Sequence, residues 1–460
     1  MTEKAIERSD HAPPWAGRIA SLGAPILFIQ ATIIGNAVID SVMAGAISQT
    51  DLAAVGLGSS VYVSLFVAFF GIVLAVSPIV AQDFGRKAMA EVGATVTQAM
   101  WLALALSAAG ASVFLFGREL VELTGASVQV VDLVQLYLWG CAVGLPGALV
   151  FRVFYATSSA MSAPRMVALI NLVAIALKIP LNHLFIKGLP GVLAPMGGAG
   201  CAFGSAVTAI VSALLALCLL RWAPVFREVP LRWRSGIDVG KQRALLKLGI
   251  PIAFTQVAEV TAFAGMAFLI ARLGPQDAAA HQIAANVATT LFMIPFALSL
   301  AVSILLGQSI GAGAYADESA VVSSGLKIAA VTALVLMTTL MFLRHDIAAW
   351  YTYDINVIEV ATDLLFWVAI SQLGDAMQVF YIAALRARKC IRAALVVTVV
   401  ARWGVGLFGG YWLAYGPPRM GVSGFWIAAT AGIFAAAIAL ATFYSLRFGH
   451  VGNSADRALV

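Results

Sequence analysis

The chain has 460 residues, of which 61% are hydrophobic and 11% are charged, and its mean hydropathy is +0.94. Soluble globular proteins average about 45–50% apolar and about 25% charged residues, so this composition excludes a water-soluble protein, a disordered chain and a disulfide scaffold. The net charge of +6 does not indicate a nucleic-acid partner, because the basic residues lie where they would set the topology of a membrane protein.

Apolar windows bounded by Gly, Pro and charged residues predict twelve membrane-spanning helices, each needing about 20 mainly apolar residues. The predicted spans, numbered 1 to 12, cover residues 20–46, 56–82, 94–116, 131–156, 163–186, 197–220, 245–271, 280–310, 321–343, 358–385, 391–415 and 421–446. The expected fold class is therefore an all-α polytopic membrane protein.

The longest polar interruption divides the chain into two halves. We expect a cytoplasmic N-terminal segment at 1–19, an N-lobe at 20–220, a basic cytoplasmic linker at 221–244, a C-lobe at 245–446 and a cytoplasmic C-terminal tail at 447–460. Most Lys and Arg residues fall on one side of the predicted membrane, and the positive-inside rule makes that side the cytoplasm. This asymmetry predicts a multi-pass protein of the inner (cytoplasmic) membrane with both termini in the cytoplasm.

The two halves repeat each other at an offset of 226 residues. Between residues 22 and 85, 19 of 64 positions are identical to their partners. The matches that apolar composition does not explain include Gly23 with Gly249, Pro25 with Pro251, Gln82 with Gln308 and Gly85 with Gly311. Six spans per half is an even number, so both halves face the same way and are related by an axis along the membrane normal. This architecture is typical of secondary transporters, although a dimer interface or redundant folding units would also produce a repeat.

Three carboxylates lie well inside predicted spans: Asp40 in span 1, Glu259 in span 7 and Asp375 in span 10. A charge at mid-membrane costs about 2.5–3.5 kcal/mol on insertion scales, and a carboxyl group in a low dielectric takes up a proton more readily than one in water. These residues are therefore candidates for ion coupling. The alternative is a structural ion pair with one of the basic residues inside spans, which are Arg152, Lys178 and Arg402.

Polar and Pro residues inside spans supply further candidates. Pro25 and Pro251 occupy equivalent positions one or two turns into spans 1 and 7, where a missing amide donor allows either a static kink or a moving one. Gln282 and Asn286 lie one turn apart in span 8, beside His281. Such amides form interhelical hydrogen bonds or contact a ligand.

Four segments in chain order resemble those of the multidrug and toxic compound extrusion (MATE) family of cation-coupled antiporters, in its NorM-type branch. They are Ile39–Gly45 in span 1, Ala258–Ala264 in span 7, Ala280–Gln282 in span 8, and Gly374–Val379 followed by Leu385–Arg386 in span 10. The resemblance implies two pseudo-symmetric six-helix lobes in a V shape, which open alternately to the two faces. It also implies a monomer without cofactor, whose partners are the lipid bilayer and the small amphipathic organic cations that it exports in exchange for H⁺ or Na⁺.

By this resemblance, Glu259 and Asp375 match the C-lobe coupling carboxylates and Asp40 matches the N-lobe one. No metal site is expected except a possible Na⁺ site at Glu259 and Asp375. The substrate and cavity candidates are Gln282, Asn286, Ser371, Gln378 and Tyr381.

The N-lobe departs from the family pattern at Lys178. Relatives carry an amide or acidic residue there, one turn before a second such residue, which is Asn182 here, and a Thr in span 6, which is Ser205 here. Lys178 and Asn182 share a helix face because they are four residues apart. We therefore expect the Lys178 ammonium to pair with Asp40 and to exclude sodium from the N-lobe.

Three other functions remain as alternatives. A channel would need a selectivity filter or a charged ring, and a prenyltransferase-like membrane enzyme would need an acidic metal-binding motif. A lipid-linked oligosaccharide flippase of the same wider superfamily would share the twelve spans, but its anionic cargo favours several basic groups in the cavity. The sequence favours the exporter over all three, and it predicts no enzymatic activity.

Overall fold

The computed structural model describes residues 14–122, 125, 127–231 and 236–448. Within this part of the chain, twelve helices are long and apolar enough to cross a membrane. They are α1 Trp15–Gly45, α2 Gln49–Gly85, α3 Met89–Leu115, α4 Val128–Ala160, α5 Pro164–Lys187, α6 Gly197–Trp222, α7 Val239–Ile270, α8 Pro275–Ala312, α9 Tyr315–Tyr351, α10 Ile355–Ala387, α11 Ile391–Tyr415 and α12 Gly421–Phe448. The predicted all-α fold with twelve spans is confirmed.

Parts of the predicted segments lie outside the described residues. These are residues 1–13 of the N-terminal segment, Arg232 and Arg234 of the basic linker, and residues 449–460 of the C-terminal tail.

Most helices extend beyond the predicted spans, because hydropathy detects only the apolar middle of a helix. The α2 helix begins at Gln49 rather than residue 56, where the Ser48 side chain accepts a hydrogen bond from the Asp51 amide. The α7 helix begins at Val239 rather than residue 245, because Asp238 caps it in the same way. Such polar caps satisfy the free amides of a first turn. As a result, Pro25 and Pro251 lie about three turns inside continuous helices, deeper than predicted.

Four helices end in the same turn on one face of the bundle, where α1 begins; we call this the N-terminal face. The turns after α2, α4, α8 and α10 each place one residue at positive φ, namely Lys87, Ser162, Gly313 and Lys389. In each turn the next amide donates to a carbonyl five residues back, as Ala88 N does to Asp83 O. This is the usual way to close a helix C-terminus with a left-handed residue. The internal repeat is therefore visible in the backbone as well as in the sequence.

The lobes meet at the N-terminal face through reciprocal hydrogen bonds. Gln82 Nε2 of α2 donates to Ala387 O at the end of α10, at 2.7 Å. Its repeat partner, Gln308 Nε2 of α8, donates to Ala160 O at the end of α4, also at 2.7 Å. Each lobe thus contributes one glutamine and one helix-terminal carbonyl, and the two bonds hold the lobes closed at this face.

Repeat-matched glycines allow the helix backbones to touch across the same interface. A Cβ added at Gly85 would overlap the carbonyl oxygen of Gln308, and one added at Gly311 would overlap that of Gln82. A second matched pair makes equivalent contacts further along the helices. A Cβ added at Gly23 would overlap Leu298, and one added at Gly249 would overlap Ile72. These four glycines, which the repeat retains, therefore all lie at close contacts between the lobes.

Hydrophobic packing also joins the lobes at this interface. We call the hydrophobic cluster that contains Ile26 and Leu74 of the N-lobe together with Leu305 and Phe380 of the C-lobe the shared core. A separate N-lobe core packs around residues such as Phe154. Opening the N-terminal face would expose the apolar surface of the shared core, so closure there is favoured by burial as well as by hydrogen bonds.

We expect the combined substitutions Gly85→Ala and Gly311→Ala to keep the lobes apart at the N-terminal face. Alanine has the higher helix propensity, so the effect would come from contact between the lobes and not from a weaker helix. Double electron–electron resonance between spin labels at exposed positions 165 and 392 should report a longer distance than in the parent. Gly56→Ala is the matched control on α2, because no atom lies within 4 Å of its added Cβ. An unchanged distance in the double variant would show that these contacts do not control closure.

Candidate ion and substrate site

In the N-lobe, three helices bring polar groups together around Asp40. Lys178 Nζ of α5 lies 2.9 Å from Asp40 Oδ2, and Asn182 Nδ2 lies 2.8 Å from Asp40 Oδ1. Lys178 also donates to Ser205 Oγ of α6 at 2.6 Å. The ion pair expected from the sequence is present, and both oxygens of Asp40 accept hydrogen bonds from N–H groups.

This N-lobe cluster is buried. The Lys178 side chain is 4% exposed and that of Asp40 is 13% exposed. A pair of charges at such a depth is stable only with close geometry and further hydrogen bonds, which Asn182 and Ser205 supply. The ammonium therefore acts as a built-in cation for Asp40.

In the C-lobe, Asp375 has its own basic partner. Arg402 Nη2 of α11 lies 3.1 Å from Asp375 Oδ1 of α10, with side-chain exposures of 21% and 12%. Arg402 lies in a π-helical segment of α11, Val400–Phe408. Such wide turns are rare and are frequent at functional sites. The segment also carries Trp403, whose Nε1 donates to Ala258 O beside Glu259 at 3.1 Å.

Glu259 differs from the other two carboxylates, because no salt bridge joins it to a basic residue among the described ones. Its Oε1 accepts a hydrogen bond from Gln378 Nε2 of α10 at 3.3 Å. Gln378 lies three residues after Asp375, so the two side chains share a face of α10. Arg386, near the end of α10, lines the same pocket as Glu259 and interacts with it electrostatically.

Arg386 was missed as a site residue by the sequence prediction. Predicted span 10 ended at residue 385, so Arg386 was not counted among the basic residues inside spans, whereas α10 continues to Ala387 and Arg386 is 5% exposed. The only signal in the sequence was its place in the Leu385–Arg386 motif.

The remaining sequence candidates lie in different surroundings. Ser371 donates to Val368 O within its own helix. Gln282 and Asn286 bond to each other at 3.3 Å on an exposed part of α8. The ring of Tyr381 packs against Phe380 and Tyr444. Of the five substrate and cavity candidates, Gln378 is the one that hydrogen-bonds an interior carboxylate among the described residues.

In the part of the chain that the structure describes, the three interior carboxylates are surrounded by N–H donors and not by oxygen ligands. Within the described residues, no group of three or more His, Cys, Asp or Glu side chains could hold a metal ion. The hydrogen-bond partners of the three carboxylates are N–H donors from Lys178, Asn182, Gln378 and Arg402. A metal ion would need oxygen ligands in place of those donors.

A duplicated twelve-helix membrane fold with charged residues inside both lobes defines the protein as a secondary transporter. The MatE family model matches residues 25–184 and 251–412, and the chain therefore belongs to the MATE family of ion-coupled antiporters. It is accordingly a multi-pass membrane transporter and not an enzyme.

Curated relatives match over nearly the whole chain. A probable multidrug resistance protein NorM of Chromobacterium violaceum is 33% identical over 439 residues, which is 94% of each chain. The multidrug resistance protein PmpM of Pseudomonas aeruginosa is 33% identical over 433 residues, which is 92% of this chain and 89% of PmpM. These relatives do not favour the flippase alternative.

Solved structures share the fold. A MATE protein in the bent conformation has a TM-score of 0.87 at 17% identity, covering 96% of this chain and 97% of that one. An outward-facing multidrug resistance MATE transporter has a TM-score of 0.86 at 16% identity, with the same coverage. The two-lobed arrangement is therefore that of the family.

We expect Lys178→Ala and Asp40→Asn to depend on each other. Removing one partner of a buried pair leaves an uncompensated charge and costs about 3–5 kcal/mol, so the double variant should lose less unfolding free energy than the sum of the single variants. Denaturant titration in micelles measures all four proteins. The exposed pair of Arg118 and Glu122 is the control, whose single effects should add. Additive effects at Lys178 and Asp40, or protection of Asp40 by sodium from carbodiimide labelling, would contradict the pairing.

Proposed function

We propose that the chain exports amphipathic organic cations by alternating access, in exchange for H⁺. It acts as a monomer in the inner (cytoplasmic) membrane with both termini in the cytoplasm. The N-lobe spans residues 20–220 and the C-lobe spans 245–446. Family membership and the names of the curated relatives support the export of drugs, and the three interior carboxylates support cationic cargo.

In this proposal, Glu259 and Asp375 form the coupling site. The observation that carries it is that both reach the same face of α10, Asp375 directly and Glu259 through Gln378. When ionised, the pair attracts a cationic substrate. When protonated, the pair releases it, so proton binding and substrate binding exclude each other at one site.

The choice of H⁺ over Na⁺ rests on the ligands around the carboxylates. A proton binds a single carboxyl oxygen, whereas sodium needs several oxygens placed around it. Arg402 already occupies one oxygen of Asp375, and Gln378 approaches Glu259 through its N–H group. In the N-lobe, Lys178 takes the place of a cation beside Asp40, so that lobe contributes a fixed counter-ion and not a second coupling site.

The coupling ion can be tested with inverted membrane vesicles that contain the chain. An imposed proton gradient should drive uptake of a cationic dye, whereas a sodium gradient at equal pH on both sides should not. Collapse of the proton gradient should abolish uptake even when ATP is present. Uptake that follows sodium alone would overturn proton coupling, and uptake that survives loss of both gradients would overturn the antiporter mechanism.

Neutralising either coupling acid, by Glu259→Gln or Asp375→Asn, should reduce gradient-driven efflux to that of vesicles without the chain. The substitutions remove the charge that binds cations and protons but keep similar side-chain volumes, so the protein should still elute as a folded monomer. Asp363→Asn is the matched control, because Asp363 is exposed on the same helix and should leave efflux unchanged. Normal efflux by both variants would assign a purely structural role to the carboxylates.

A further inference from the structure

Helices α7 and α11 form an open groove at the N-terminal face, where both helices begin. The two helices pack against each other, and the groove beside their first turns has a volume of about 880 Å³. Three of the residues that line it are basic, namely Arg243 and Lys247 of α7 and Arg392 of α11. Most of the others are small or apolar, such as Leu246 and Ile250. One cavity therefore brings together three positive charges from two helices.

These three cations have no counter-ion in the described part of the chain. No salt bridge or hydrogen bond joins the side chain of Arg243, Lys247 or Arg392 to another described residue, and all three residues are exposed. By contrast, Lys241 Nζ on the same helix lies 2.6 Å from Glu91 Oε2 of α3. The charge of Lys241 is thus compensated within the protein, whereas the charges in the groove are available to an anion from outside.

Beyond the cations, the same helix faces are apolar and exposed. The exposed apolar residues that follow along the two helices are Ile250, Phe254, Val396 and Val400. They lie three to eight residues after Lys247 or Arg392, a spacing that places them on the faces of those two cations. A ligand that matches both parts has an anionic head at the N-terminal face and an apolar body along the helices. This is the chemistry of an anionic lipid.

The N-lobe forms the equivalent helices without these charges. At the repeat offset, the residues that correspond to the three cations are Gly17, Ser21 and Met166. The duplicated fold therefore does not require basic residues at these positions. The positive-inside rule depends on how many Lys and Arg residues lie on one side of the membrane, and it does not require three of them to meet in one groove. A ligand explains their meeting, and topology alone does not.

We propose that this groove binds an anionic glycerophospholipid. The phosphate of the lipid lies between Arg243, Lys247 and Arg392, and its acyl chains run along the exposed apolar faces of α7 and α11. Arginine can hold phosphate oxygens through paired hydrogen bonds, and basic pockets between membrane helices bind such headgroups. The bound lipid joins α7 to α11, the helices that carry Glu259 and Arg402. The site is separate from the carboxylates and does not depend on the proposed function.

Native mass spectrometry of the full chain in detergent micelles tests this site. It measures the Kd of added dioleoyl phosphatidylglycerol and of the net-neutral dioleoyl phosphatidylcholine, and the parent should bind the anionic lipid more tightly. Combined Arg243→Gln, Lys247→Gln and Arg392→Gln should weaken phosphatidylglycerol binding by about a hundredfold, since each basic residue near anionic lipid contributes a factor of about five. Arg243→Lys with Arg392→Lys should fall between, because it keeps the charges and loses the paired donors.

The matched control combines Arg165→Gln, Arg221→Gln and Arg227→Gln. It removes three exposed positive charges near the same face but outside the groove, and it should bind phosphatidylglycerol as the parent does. All the substituted residues are exposed, so each variant should elute as folded protein.

Three results would overturn the lipid site. Equal weakening by the two triple variants would show general attraction to positive charge. Equal affinity of the parent for both lipids would show that the groove does not select an anionic headgroup. Displacement of phosphatidylglycerol by an equimolar amount of glycerol 3-phosphate would assign the groove to a free phosphate and not to a lipid.

Discussion

Charges inside a low-dielectric membrane protein must be compensated, and this constraint organises the structure. Asp40 and Asp375 are each held by a basic side chain from another helix, and in both lobes that cation comes from the fifth helix, α5 or α11. Glu259 receives only an amide donor and a more distant guanidinium. Among the described residues, Glu259 is therefore the least firmly compensated of the three carboxylates.

The two repeats keep the same contacts with each other but differ in the charged residues of their interiors. Repeat partners Gln82 and Gln308 make the same hydrogen bond in opposite directions across the N-terminal face, and the matched glycines Gly85 and Gly311 permit the same close approach. The interior positions have diverged, since Glu259 corresponds to Ile33 in the N-lobe. The two lobes therefore contribute equivalent contacts to the closed face, whereas the charged residues in their interiors differ.

The α10 helix connects the site with the closed face. It carries Asp375 and Gln378 near its middle and ends at Ala387, whose carbonyl accepts the hydrogen bond from Gln82 of the other lobe. A shift of this helix on protonation or substrate binding would therefore act directly on the contact between the lobes. Arg386 lies between the two regions on the same helix, so charge in the Glu259 pocket and closure of the N-terminal face involve one rigid element.

The sequence by itself determined the twelve helices, the duplication and the candidate carboxylates, because hydropathy, repeat spacing and the rarity of charge in hydrocarbon are all local or linear signals. It also predicted the pairing of Lys178 with Asp40, since only one acid lay within reach in the family fold. Only the tertiary structure decided that Arg402 pairs with Asp375, that Arg386 belongs to the interior and that Arg152 lies against the rings of Phe66, Phe70 and Tyr155. Those facts depend on how side chains from distant helices meet, and hydrophobic patterns specify which face of a helix is buried but not which partner it meets there.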